Sequence, residues 1–127
     1  MTFPQLLLVV VGGAVGAPTR YLTDRWVQRR FAPVMPWGTF VVNVVGSVVL
    51  GVVTGALVGG TIGALPAAFV GAGFCGGLTT FSSFGWETHR LADDGAVGLA
   101  GWNVTLTTVA CVLAAAAGWV VGLAMPG

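Results

Sequence analysis

The densest group of residues that could do chemistry lies in residues 71–87, GAGFCGGLTTFSSFGWE. A glycine pair, Gly76 and Gly77, is followed by four hydroxyl side chains: Thr79, Thr80, Ser82 and Ser83. Glycine and short hydroxyl residues are poor material for a continuous helix, so we expect the backbone to break here. Backbone carbonyls and amides that are freed at such a break are suited to holding ions.

A second set of polar side chains, Thr39, Asn43 and Ser47, recurs every four residues in an otherwise apolar segment. At that spacing they form one stripe along one face of a helix. Most intramembrane hydroxyls bond back to a carbonyl of their own helix, but an asparagine amide has four hydrogen-bonding sites and cannot satisfy all of them locally. Asn43 is therefore expected either to join two helices or to line a water-filled path.

The elements that must position these residues follow from the charges. The chain has 127 residues, 56% of them apolar and 7% charged, and all charged residues and the one histidine fall in residues 20–30 and 87–94. The charge-free runs 1–19, 31–86 and 95–127 hold one, two and one spans, because a bilayer crossing takes about 20 apolar residues. We predict an all-α membrane protein, one domain of four transmembrane helices at about residues 4–22, 37–60, 64–90 and 97–125, with the third helix broken.

Prolines mark two of the boundaries. Pro33 and Pro36 predict a turn before the second span, and Pro66 is placed favourably for the start of the third. The loops are short, so consecutive helices are expected to be antiparallel neighbours. Almost no part of the chain remains for chemistry in water, so the function must reside in the membrane.

The 21 glycines are explained by helix packing in lipid. Many of them stand four residues apart, which places each set on one helix face: Gly12 and Gly16; Gly51, Gly55 and Gly59; Gly73 and Gly77; Gly118 and Gly122. Such faces let two backbones approach closely, and van der Waals packing drives helix association where the hydrophobic effect cannot.

Several classes of protein are excluded by composition. The net charge is +1 and the chain has no lysine, so we expect no basic surface for nucleic acid or anionic lipid. Cys75 and Cys111 lack CxxC spacing, which disfavours a disulfide framework or a zinc site. An intramembrane enzyme would need a nucleophile with a base, or a metal cluster, whereas the lone His89 stands among loop charges.

The broken segment of the third span and three other segments resemble the motifs of a known family. Residues 73–84, GFCGGLTTFSSF, resemble the signature of the CrcB/Fluc family of fluoride channels, which are small membrane proteins of four spans. Three further pieces agree in order: GGAVGAPTRY at residues 12–21, GTFVVNVVGS at residues 38–47, and the region around Asn103. Together they cover nearly the whole chain.

The resemblance implies a fluoride-selective channel that exports fluoride passively from the cytoplasm through the pores of an antiparallel dimer. It also implies a multi-pass protein of the cell's inner (plasma) membrane, with a structural sodium ion at the dimer centre. The pore residues carried over from the family's motifs are Phe81, Phe84, Asn43, Ser82, Thr39, Glu87 and Arg20. The backbone carbonyls of Gly76 and Thr79 from both subunits would hold the sodium ion.

Two rival functions fit the size of the chain. A small multidrug-type, proton-coupled transporter also has four spans and a tendency to form antiparallel dimers. Its mechanism resembles one that needs a carboxylate deep in the first span. In this chain the only polar residue of that span before Thr19 is Gln5. A purely structural membrane subunit would leave the broken third span unexplained.

The arginines predict one orientation in the membrane. Arg20, Arg25, Arg29 and Arg30 follow the first span and Arg90 follows the third, so all five lie on one side. Because the arginine-rich side of a membrane protein faces the cytoplasm, both termini should lie outside. A dual-topology homodimer should have nearly balanced charges; we nevertheless favour a homodimer, with a heterodimer as the alternative.

Overall fold

The computed structural model of the protein describes residues 1–31 and 34–127. Four helical segments are long and apolar enough to cross a membrane, and they are referred to below as the first to fourth spans: Phe3–Arg30, Trp37–Val58, Ala64–Asp93 and Val97–Leu123. Every regular element in the described part of the chain is helical, which confirms the predicted all-α membrane fold. The turn predicted at Pro33 lies outside the described residues.

The first span continues well past the predicted end at residue 22. It begins at a capping box, in which the Thr2 hydroxyl accepts from the Gln5 backbone N–H while the Gln5 side chain accepts from the Thr2 N–H, and it ends at Arg30. Its 28 residues measure about 42 Å at the rise of an α-helix, whereas the hydrocarbon core is about 30 Å thick. The charged residues 20–30 are therefore helical, and the last turns of this helix extend beyond the hydrocarbon.

The second and fourth spans form the most extensive contact between helices. Gly51 and Gly55 of the second span face Gly118 and Gly122 of the fourth, and a methyl group added at Gly118 would collide with the backbone carbonyl of Val48. The predicted glycine faces are thus the places where the two backbones touch, which is the packing expected for small residues in lipid.

The first span packs in the same manner against the amino-terminal part of the third span. A Cβ atom at Gly73 would lie 2.8 Å from the carbonyl oxygen of Val9, and one at Gly77 would lie 2.8 Å from that of Gly13. Such distances are shorter than real side chains adopt, so both positions require glycine. This contact fixes the height of the following residues relative to the first helix.

The third span is broken, as predicted, but the break is not at the glycine pair. An amino-terminal half consists of α-helical Ala64–Ala67, π-helical Ala68–Cys75 and α-helical Gly76–Leu78, and the carboxy-terminal half is Phe81–Asp93. Thr79 (φ −81°, ψ 156°) and Thr80 (φ −148°, ψ 124°) between them are extended. Gly77 packs against the first span, where its Cβ position lies 2.8 Å from the Gly13 carbonyl oxygen. Gly76 and Gly77 both stay helical, and the chain leaves the helix at the first β-branched hydroxyl residues beyond them.

Candidate ion pathway

The break exposes backbone groups that Asn43 of the second span satisfies. Its side-chain Nδ2 donates to the Thr80 carbonyl at 2.9 Å, and its Oδ1 accepts from the Thr80 N–H at 2.7 Å. A donor and an acceptor on the same residue fix which end of the amide is nitrogen. Asn43 therefore joins two helices, which confirms the first of the two alternatives left open by the sequence. It also lines a cavity described below, and the alternative that it lines a water-filled path stays a prediction.

Two other backbone carbonyls near the break lose their helical donors. The Thr80 N–H would bond to the Gly76 carbonyl in a continuous helix, but it donates to Asn43 instead. The Thr79 carbonyl accepts from Arg20 Nη1 at 3.3 Å. Each carbonyl oxygen has two lone pairs, so the Thr79 oxygen retains one lone pair for a second ligand. Gly76 is exposed on the surface of the chain.

A cavity of about 290 Å³, here named the phenylalanine groove, opens on one side of the break. It is lined by Asn43, Gly46, Ser47, Leu50, Thr79, Thr80, Phe81, Phe84, Thr107, Thr108 and Cys111. The rings of Phe81 and Phe84 are 5.7 Å apart between centroids and are inclined by 49°. The Phe81 side chain is 83% exposed, so the groove is open to the outside of the chain along this residue.

Most hydroxyl groups around the groove already donate their single proton in a hydrogen bond within the chain. Ser47 donates to the Asn43 carbonyl at 2.7 Å, Thr79 donates to the Cys75 carbonyl at 2.9 Å, and Thr107 donates to Asn103 Oδ1 at 3.3 Å. The amide of Asn43 carries two N–H donors, and the bond to Thr80 uses one of them. Its second N–H has no partner among the described residues and is a side-chain donor available to an anion at this end of the groove.

A second cavity of about 200 Å³, here named the arginine cavity, lies on the other side of the break. Its lining is Ala17, Arg20, Tyr21, Asp24, Thr39, Val42, Thr80 and Ser83. Thr80 lines both cavities. The extended residue that Asn43 holds in place is therefore part of the wall of both spaces.

Glu87 lies next to the arginine cavity through its contact with Thr39. The Thr39 hydroxyl donates to Glu87 Oε1 at 3.0 Å. Glu87 Oε2 is buried and has no hydrogen-bond partner among the described residues. A buried carboxylate oxygen requires a donor such as water or a proton, which is consistent with a wet path on this side of the break.

The fourth span supports the groove through Asn103, which is 1% exposed. Asn103 Nδ2 donates to the Thr88 hydroxyl at 2.9 Å, and that hydroxyl donates to the Phe84 carbonyl at 2.8 Å. The same amide accepts the proton of Thr107. Asn103 thus connects one groove hydroxyl to the backbone of a groove phenylalanine.

Six of the nine residues implied by the sequence motifs line one of the two cavities, and Ser82, Glu87 and Gly76 line neither. Asn43, Thr79, Phe81 and Phe84 line the groove, while Arg20 and Thr39 line the arginine cavity. Ser82 is exposed, and its hydroxyl lies 3.3 Å from that of Thr80. Its neighbour Ser83 lines the arginine cavity instead.

Sequence reasoning assigned no role to three residues of the site: Thr80, Ser83 and Thr107. Thr80 and Ser83 belong to the hydroxyl cluster described in the sequence. If a helix is taken to start after a cap at Thr80, Ser82 and Ser83 point to different sides of that helix, and this was the signal that could have distinguished them. Thr107 stands four residues after Asn103, which places both on one helix face. That spacing was the available signal.

Comparisons with known proteins show which family model and which named relatives this chain is similar to. The family model described as "CrcB-like protein, Camphor Resistance (CrcB)" matches residues 7–119. A Frankia casuarinae protein named "Fluoride-specific ion channel FluC 1" is 50% identical over 117 residues, covering 88% of this chain and 91% of that protein. A Nocardia farcinica protein of the same name is 52% identical over 108 residues, covering 85% and 73%. A "Fluoride-specific ion channel FluC" from Methanocaldococcus jannaschii is 40% identical over 121 residues, covering 95% and 96%.

Proposed function

Because the chain belongs to the CrcB family and is a multi-pass membrane protein, we propose that it is a fluoride-selective channel. It conducts fluoride passively out of the cytoplasm and acts as a channel rather than as an enzyme. The names of its relatives support the choice of ion. The observation that carries the proposal is that two cavities, one lined by the phenylalanine rings and one by Arg20, share Thr80, beside an asparagine whose second N–H has no partner among the described residues.

Fluoride needs close donors to replace its tightly held water. A selective pore must therefore offer such groups without a full positive charge that would trap the ion. The free N–H of Asn43 is one of them. The rings of Phe81 and Phe84 supply another, because the edge of an aromatic ring carries partial positive charge while its face is negative.

Arg20 sits in the arginine cavity, at one entrance to this path. Its guanidinium attracts anions, and Asp24 in the same cavity lining offsets part of that charge. Thr39, Ser83 and Glu87 then continue a polar surface towards the break. Under the proposal these residues guide the anion to Thr80, and the Asn43 amide passes it on towards Phe81 and Phe84.

We further propose that the functional unit is an antiparallel dimer. The phenylalanine groove opens sideways, and Phe81 at its edge is 83% exposed. If this open side faced lipid alone, the anion path would be unsealed along the exposed Phe81 ring. A second copy covering this face would complete the wall of each pore.

A sodium ion at the dimer centre fits the donor chemistry of the break. Hard cations prefer oxygen ligands, and the Gly76 carbonyl is released from its helical donor on an exposed face. The Thr79 carbonyl, which already accepts from Arg20, retains a second lone pair. Gly76 and Thr79 from both subunits would therefore hold the ion, and its charge would offset repulsion between anions in the two pores.

Fluoride efflux tests the proposal directly. Purified protein in liposomes loaded with potassium fluoride should release fluoride to an electrode when a potassium ionophore is added, without a proton gradient or ATP. Liposomes loaded with potassium chloride serve as the matched control and should release little chloride. Efflux that follows an imposed proton gradient, or exchange of organic cations without fluoride flux, would instead indicate a proton-coupled transporter.

Reporter fusions distinguish a homodimer from a heterodimer. A reporter at either terminus, in a chain expressed alone, should label both sides of the membrane equally if the protein forms an antiparallel homodimer. The five arginines on one side oppose that outcome. Strictly external termini together with absent fluoride flux would show that a partner of opposite charge bias is required.

A further inference from the structure

An exposed basic groove lies at the carboxyl end of the first span, outside the proposed pore. It has a volume of about 540 Å³ and is lined by Tyr21, Leu22, Thr23, Arg25, Trp26 and Arg29. We refer to it as the Arg25–Arg29 groove. The net charge of +1 gave no reason to expect a basic surface, but the folded helix places Arg25 and Arg29 in one groove.

The guanidinium groups of this groove are not paired with a carboxylate of the described residues. Arg25 lies 5.5 Å above the Tyr21 ring and donates to the Tyr21 hydroxyl at 2.7 Å. The single ion pair among the described residues joins His89 to Asp93, so no described carboxylate pairs with Arg25 or Arg29. The adjacent acid, Asp24, points to the opposite side, where it packs over Gly38 and lines the arginine cavity.

The depth of the groove in the membrane follows from helix length. A helix that starts at Phe3 crosses the hydrocarbon core in about 20 residues, so it reaches the far surface near Leu22. Arg25 and Arg29 then lie at the level of the lipid headgroups. Tyr21 and Trp26 are 56% and 59% exposed, as expected for aromatic residues that sit at the membrane–water interface.

We propose that the Arg25–Arg29 groove binds the phosphate of an anionic phospholipid. Guanidinium groups bind phosphate oxygens through paired N–H donors, and Arg25 and Arg29 stand one helical turn apart on the exposed face. Leu22, which is 66% exposed, continues the groove towards the hydrocarbon and suits the start of an acyl chain. A free phosphate would use the arginines alone, whereas a phospholipid matches both the charged and the apolar parts of the lining.

Native mass spectrometry of the purified full-length protein tests this site. The protein is exposed to phosphatidylglycerol or to phosphatidylcholine with identical acyl chains, and bound lipid is counted at each concentration. The parent should prefer phosphatidylglycerol. The double variant R25Q/R29Q should lose about tenfold or more of its phosphatidylglycerol affinity, since each arginine near an anionic surface contributes measurably, with phosphatidylcholine binding unchanged.

R90Q is the matched control, because Arg90 is an exposed arginine of the third span outside the groove. It should retain the parent's preference. An R90Q loss equal to that of R25Q/R29Q would overturn the proposal in favour of a diffuse charge effect, and an unchanged preference in R25Q/R29Q would also overturn it. Displacement of the lipid by equimolar inorganic phosphate would reassign the groove to small anions. If R25Q/R29Q fails to fold, R29Q alone should still show a weaker preference.

Discussion

Replacing Asn43 by alanine should uncouple the broken third span from the second span. The Asn43 amide satisfies both the N–H and the C=O of Thr80, at 2.7 and 2.9 Å, and Asn43 itself is buried. Each buried backbone group left without a partner costs about 1–3 kcal/mol, so two of them give a loss of about 2–6 kcal/mol. That is a large part of the stability of a typical domain, which is about 5–15 kcal/mol.

Thermal unfolding in detergent, together with fluoride efflux, measures both consequences. Asn43→Ala should unfold at a markedly lower temperature and lose flux. Asn43→Asp should keep the acceptor for the Thr80 N–H but place an oxygen opposite the Thr80 carbonyl and a negative charge beside the groove. Its melting temperature should fall less than that of Asn43→Ala, whereas its fluoride flux should be lost. Thr54→Ala is the control on the same helix, because the Thr54 hydroxyl bonds back to the Leu50 carbonyl of its own helix and Thr54 lines neither cavity. If Asn43→Ala matches the parent's melting temperature and flux, the pairing with Thr80 has no energetic role.

Four further outcomes are expected. Phe81→Ile and Phe84→Ile should each slow fluoride efflux severely while the dimer remains assembled, because an aliphatic side chain of similar bulk keeps the packing and lacks the electropositive ring edge; variants that conduct like the parent would make the rings packing residues only. Exchanging sodium for a bulky organic cation on both sides should reduce fluoride flux reversibly, and unaltered flux would argue against the carbonyl-bound ion. Gly118→Ala should cost about 1–3 kcal/mol by overpacking against the Val48 carbonyl, whereas Gly98→Ala, which meets nothing within 4 Å, should not lower the melting temperature. Asn103→Ala should reduce flux without removing any group that lines the groove, and a variant with normal flux would show that its bonds to Thr88 and Thr107 do not position the pore.

The sequence was sufficient for those features that depend on local pattern and composition. The confinement of charges to two windows sets the number of spans, because a charge inside hydrocarbon is costly. The four-residue glycine spacing identifies the faces that meet, as Gly55 and Gly118 show, because only a side chain of one hydrogen lets two backbones touch. The cluster of glycine and hydroxyl residues at 76–83 was enough to predict that the third span breaks.

Tertiary structure decided the features that depend on which groups meet across helices. The break falls at Thr79 and Thr80, because Gly77 packs against the first span within the helix and Asn43 satisfies the backbone N–H and C=O of Thr80. Ser83, not Ser82, reaches the arginine cavity, because the helix restarts at a capping Thr80 and its phase is set there. Spacing along one chain fixes which residues share a helix face, but the partner of each hydrogen bond is supplied by another helix, whose height and rotation only the packed structure determines.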